Sequence, residues 1–176
     1  ITSTNSGSKS TRVNFDLGKD RTKKLKELIL DPDIKAWTTE LALSNVFLTV
    51  INTLVSKIGN QDEFAVGVPY HNRLNENERK TAGLFMELLP MNISLEKDNT
   101  LFDLFRKVKN ESLEVMKNAM DGKPPMALLK TFNVIMNFIP TTFSDFAGMP
   151  MECDWLLSGH VDPNHHIRLQ IQDFND

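Results

Sequence analysis

The 176-residue chain holds one cysteine, Cys153, and one tyrosine, Tyr70. A single thiol cannot close an intrachain disulfide, which excludes disulfide-framed scaffolds and fits a reducing, cytoplasmic compartment. Glycine and proline number only eight each, which excludes collagen-like and Pro/Gly-rich disordered chains. Neither charge dominates: 20 Lys and Arg stand against 23 Asp and Glu, a net charge of −3. That balance offers no electrostatic footprint for nucleic acid and no basic segment suited to a membrane. No apolar run reaches the roughly eighteen residues that span a bilayer. The polar start, ITSTNSGSKST, has no apolar stretch of the kind a signal peptide needs, and residues 1–11 read as a linker.

What is present is globular. Hydrophobic residues make up 40% of the chain and eleven aromatics are Phe. The length suits about one domain, or a large piece of one. Arg12 to Leu17 alternates, with Val13, Phe15 and Leu17 on one face, and predicts a strand ended by Gly18. Lys19 to Leu30 predicts an amphipathic helix stopped at Asp31-Pro32-Asp33. From Thr38 to Ile58, apolar residues at three- and four-residue steps predict a long helix, buried on most of its circumference and capped near Gly59. Glu63 to Tyr70 reads as a strand whose interior Gly67 signals close approach of a backbone or ligand. Asn75 to Lys80 reads as solvated loop, and Phe85 to Leu95 as extended chain interrupted at Pro90.

Thr100 and Asp103 resemble a capping box opening a second long helix. Its buried face is Leu101, Leu104, Phe105, Val108, Met116 and Met120, and it ends at Gly122 and Pro124-Pro125. A short helix from Pro125 to Lys130 and strands at Phe132–Ile139, Met151–Leu157 and His166–Phe174 complete the chain. Six strands against two long and two short helices predict an α/β two-layer sandwich, a mixed sheet packed against helices.

FAVGVPYHNR, a charged loop and then AGLFMELLPMNISL resemble the condensation domains of nonribosomal peptide synthetases. Gly67, Pro69, Asn72 and Arg73 match that family's Gly-x-Pro-x-x-x-Arg pattern. Gly83, Phe85, Leu89 and Pro90 match the motif that follows it, with Glu87 and Leu88 where the family has Asn and Thr. The resemblance implies a chloramphenicol-acetyltransferase-like lobe. It makes residues 12–176 the C-terminal subdomain, because the family's His-His-x-x-x-Asp-Gly motif is absent from this chain. It implies no catalytic residue here and no directly bound cofactor, the phosphopantetheine arm of carrier proteins arriving as tethered substrate. The implied partners are carrier proteins, the N-terminal subdomain and neighbouring synthetase domains.

Within that resemblance, Gly67, Gly83 and Glu87 are candidates for lining a substrate cleft, or the glycines serve turns and positive φ. Pro69, Arg73, Phe85 and Pro90 are candidates for holding the motif's shape, Arg73 by pairing with a carboxylate or a carbonyl. Glu87 either faces solvent or points into the cleft toward an amine. Related readings are a starter or ester-forming domain, a non-catalytic module recruiting a partner protein, and a CoA-dependent acyltransferase of the same superfold. For the last, the nearest motif is Asp145-Phe146-Ala147-Gly148. His160, Asp162, His165 and His166 lie close in sequence, but their spacing does not suit zinc. Cys153 is read as packing, and Trp37 and Trp155 as core or edge aromatics.

Overall fold

The computed structural model describes residues 10–73, 75–118, 130–141, 145–151 and 162–173. Helix α1 (Gly18–Leu28) leads through a turn at Asp31 into α2 (Thr39–Gly59). Thr38 caps α2, its side chain accepting the Leu41 N–H at 3.1 Å. At the far end Asn60, not Gly59, takes the left-handed position at φ 48°, a conformation asparagine tolerates. Strand β1 (Glu63–Tyr70), the short helix α3 (Glu76–Lys80), β2 (Glu87–Ser94), α4 (Leu101–Asn118), β3 (Val134–Pro140) and β4 (Ile167–Asp173) follow.

The sheet order is β2-β1-β3-β4. β1 pairs antiparallel with β2 along its full length, and β3 pairs parallel with both β1 and β4, so the sheet is mixed. Val66, Met91, Ile93, Val134 and Met136 form one core cluster with Leu48 and Ile51 of α2 and Val108 of α4. Burying each such side chain stabilises the fold by about 1.5–3 kcal/mol. A second cluster joins Ile29 and Ile34 to Ala42, Leu43, Val46 and Phe105. Between the helices, Ser112 Oγ donates to Asn45 Oδ1 at 2.7 Å in a buried polar contact. This is the expected two-layer α/β sandwich, with helices packed against a mixed sheet.

Several local expectations change. Arg12 to Leu17 pairs with no described strand, and Val13 and Phe15 are exposed. Alternation makes a strand only where a neighbouring edge takes its backbone hydrogen bonds. The described residues accordingly hold four strands, while 152–157, 125–129, Met120, Gly122, Pro124 and Pro125 lie outside them. Asn75 to Lys80 is a helix rather than loop, closed by a capping box between Asn75 and Glu78. Pro90 does not interrupt β2, because β2 is the sheet's edge and a missing N–H there need cost no ladder bond.

Helix α2 is buried on one side only, Val50, Leu54 and Ile58 remaining exposed, because the sheet and α4 cover just its inner face. By length and composition it could cross a membrane, yet that inner face forms the core. At α4 the Thr100 and Asp103 side chains bond reciprocally as expected. Leu101, in the exposed first turn, is not part of the buried face, and Met116 is half-buried.

Candidate functional site at the end of the β1–β2 ladder

The motif residues gather where β1 ends and β2 begins. Arg73, just past β1, donates from Nη1 to the carbonyls of Glu78 and Thr81 and from Nη2 to that of Gly83 at 2.8 Å. Its guanidinium carbon also lies 4.3 Å from the centre of the Phe85 ring. One planar fork therefore fixes the path of the loop that carries α3, and the cation–π contact sets where that loop re-enters the sheet. Gly83 supplies one of those carbonyls at φ 155°, a conformation side chains rarely adopt.

Gly67 sits centrally in the ladder, opposite Pro90 on β2 and Ile135 on β3. A Cβ at Gly67 would collide with Phe132 Cε2, so the missing side chain makes room for that ring. The sequence predicts a backbone or ligand close to this glycine; the structure puts the Phe132 side chain there instead. Phe132 in turn stacks on His165, with centroids 5.4 Å apart. His165 Nδ1 bonds Asp162 Oδ2 at 2.7 Å, and Asp162 also accepts from the Asn164 N–H and from Arg168. Burial alone would raise the Asp162 pKa; the bonds from His165, Asn164 and Arg168 outweigh it and hold the carboxyl well below the usual range. The sequence grouped Asp162 with His165, but nothing in it linked either to Phe132 or Gly67.

Pro69 and Tyr70 stand opposite Leu88 and Glu87, respectively. Tyr70 stacks on His71 with centroids 5.3 Å apart, and burial raises its phenol pKa. Glu87 is half-buried rather than solvated, and its Oε2 has neither solvent contact nor a hydrogen-bond partner among the described residues. Asn72 Oδ1 is in the same state, on a residue at φ 47°. Among the described residues no group of three or more His, Cys, Asp or Glu could hold a metal ion. Cys153, Trp155 and His160 lie outside the described residues.

A mixed sheet packed against helices is a fold this chain shares with solved condensation domains. The first condensation domain of the calcium-dependent antibiotic synthetase, bound to a substrate analogue, superposes with a TM-score of 0.56 at 12% identity, over 71% of this chain and 28% of that one. The starter condensation domain of rhizomide synthetase in complex with C8-CoA superposes at 0.52 and 15% identity, over 57% and 25%. The condensation-domain family model matches residues 2–122, and the chain belongs to that family. One of the plipastatin synthase proteins of Bacillus subtilis (strain 168) is 25% identical over 97 residues, which is 52% of this chain and 4% of that protein. Surfactin synthase subunit 2 from the same organism is 28% identical over 107 residues, 61% of this chain and 3% of that protein. The chain thus spans a few per cent of the curated relatives it matches.

Proposed function

We propose that the chain is the C-terminal subdomain of a condensation domain in a cytoplasmic nonribosomal peptide synthetase, joining a carrier-tethered acyl or peptidyl donor to an acceptor. The family match across residues 2–122 carries this reading. Amide formation requires an amine to lose a proton while an oxyanion develops on the thioester carbonyl. A positioned histidine contributes roughly 10²–10⁴ to such a step, and on this reading it belongs to the N-terminal subdomain. What this chain contributes is position: two tethered substrates held in reacting geometry gain a large effective molarity. Gly83 and Glu87 then form part of one cleft wall, with Pro69, Arg73, Phe85 and Pro90 fixing its shape, while Gly67 makes room for Phe132 rather than for substrate. Carrier proteins, their phosphopantetheine arms and the neighbouring synthetase domains are the partners.

The parent domain, incubated with loaded donor and acceptor carrier proteins and followed by intact mass, tests the reading. Movement of the donor acyl group onto the acceptor carrier is the expected result. A parent protein that transfers nothing but still captures a partner protein would overturn it in favour of a recruiting module. Transfer from free CoA without any carrier would overturn it in favour of a CoA-dependent enzyme.

A further inference from the structure

Asn45 lies on α2 with 3% of its surface exposed, and its side-chain amide is only half satisfied. Its Oδ1 accepts from Ser112 Oγ on α4 at 2.7 Å, whereas Nδ2 has neither solvent contact nor an acceptor among the described residues. The same residue lines a cavity of about 20 Å³ between the start of α2 and α4, walled by Ala36, Trp37, Leu41, Lys109 and Leu113. With Oδ1 committed to Ser112, Nδ2 is the polar atom that Asn45 has left for this cavity. Buried N–H groups are normally paired, and one without an acceptor is costly. Lys109 is the one charged residue in the lining, and no hydrogen bond or ion pair holds it among the described residues. Trp37, expected as a core or edge aromatic, stands 79% exposed beside the same cavity. The space admits about one water-sized group, far short of the roughly 300 Å³ at which small-molecule pockets begin.

We propose that this notch is a docking point for an acidic segment of a partner polypeptide, which inserts one aspartate or glutamate carboxylate and lays a neighbouring apolar side chain on Trp37. The inference stands apart from the condensation reading and does not depend on it. An unpaired amide N–H and a lysine ammonium that line one cavity both require an oxygen acceptor, and the positive charge favours an anionic one. The walls of Ala36, Leu41 and Leu113 keep water from that contact, which strengthens it. A cavity of this size cannot hold a whole metabolite, so the carboxylate is projected into it by a larger body outside. Tryptophan is among the side chains that most often anchor interfaces, and here it supplies the contact area that the small cavity lacks.

The test titrates the intact parent protein, by calorimetry, with three blocked peptides that differ only at their centres: Leu-Glu-Leu, Leu-Gln-Leu and Leu-Lys-Leu. Saturable binding of the glutamate peptide is expected, at least about fivefold tighter than the glutamine peptide and weakening with added salt, with the lysine peptide weakest. Trp37→Ala changes a side chain that stands in solvent, so it should leave the thermal midpoint unmoved and weaken the glutamate peptide at least about fivefold. Lys109→Met keeps an unbranched wall and should abolish the preference for glutamate over glutamine without abolishing binding. Asn45→Ala removes the donor but also strands Ser112, so it is read against Ser112→Ala, which leaves Nδ2 in place. Only the first of that pair should lose both peptides. Equal affinity for the three peptides, no saturable binding of the glutamate peptide, or an affinity that Trp37→Ala leaves unchanged would each overturn the proposal, and the notch would then be a site for a single water.

Discussion

On the inner face of the sheet, Leu48, Val66, Val108 and Met136 meet side chain to side chain, deep in the core. At the end of β1 the chain is held instead by one guanidinium that takes three backbone carbonyls. The first region draws its stability from area removed from water, which is non-directional and tolerant of where a ligand sits. The second relies on fixed hydrogen-bond geometry and retains orphan acceptors in Glu87 and Asn72. Among the described residues orphan polar atoms occur in both regions, Asn45 Nδ2 and Asn52 Oδ1 lying on α2 in the helix-covered core, so the two regions differ in what holds them rather than in where polar pairing is incomplete.

The comparison breaks most visibly in the core. Leu48→Ala, at a side chain 2% exposed, is expected to cost about 4 kcal/mol through lost burial and a residual cavity. Urea denaturation measures it; a loss below about 1 kcal/mol would show that α2 does not pack on the sheet as described. Gly67→Ala should follow at about 3 kcal/mol, since the added methyl collides with Phe132 and the core must shift. The double change with Phe132→Leu should recover part of that loss. Simple additivity of the two changes would mean the ring does not rest on Gly67.

Arg73→Lys probes the other region. Lysine keeps the charge but cannot span three carbonyls and stack on Phe85 at once. A loss of about 2 kcal/mol is expected, from hydrogen bonds that involve a charged donor. Hydrogen exchange should quicken in residues 75–84 before it changes in β3. Equal loosening of both regions would erase the distinction between them.

What could be read from the chain follows the same division. The apolar core of Glu63–Tyr70, the alternation of Ile167, Leu169 and Ile171, and the three- and four-residue apolar steps of α2 are local patterns, and each element formed where its pattern lay. Arg12–Leu17 shows an equally good alternation but has no described strand beside it, and no local pattern reports a missing neighbour. The exposed stripe of Val50, Leu54 and Ile58 on α2 is hidden from sequence for the same reason. Asn75 and Glu78 do carry a readable capping box, masked by a charged run that suggests solvent. At the site, Gly67, Arg73 and Gly83 stood out by motif. The contact of Gly67 with Phe132, and the sealing of Glu87, depend on segments brought together only by the sheet.

The last effect is full at neutral pH and is lost only in acid. Asp162 ties the start of β4 to His165 and Arg168, and its pKa in the folded chain is lowered below the roughly 3.9 expected of an unfolded aspartate. A depressed carboxyl contributes its full stabilisation above the unfolded pKa and loses it as pH falls toward the folded one. Stability should therefore be flat in this contribution above about pH 5 and decline below about pH 4. Asp162→Asn should be less stable than the unsubstituted chain near neutrality and should show a shallower acid decline, so that the two curves converge at low pH. Parallel curves from neutrality down into strong acid would mean the carboxylate is not the group that anchors His165, and the stack running from β4 through Phe132 to Gly67 would then have to be held by ring packing alone.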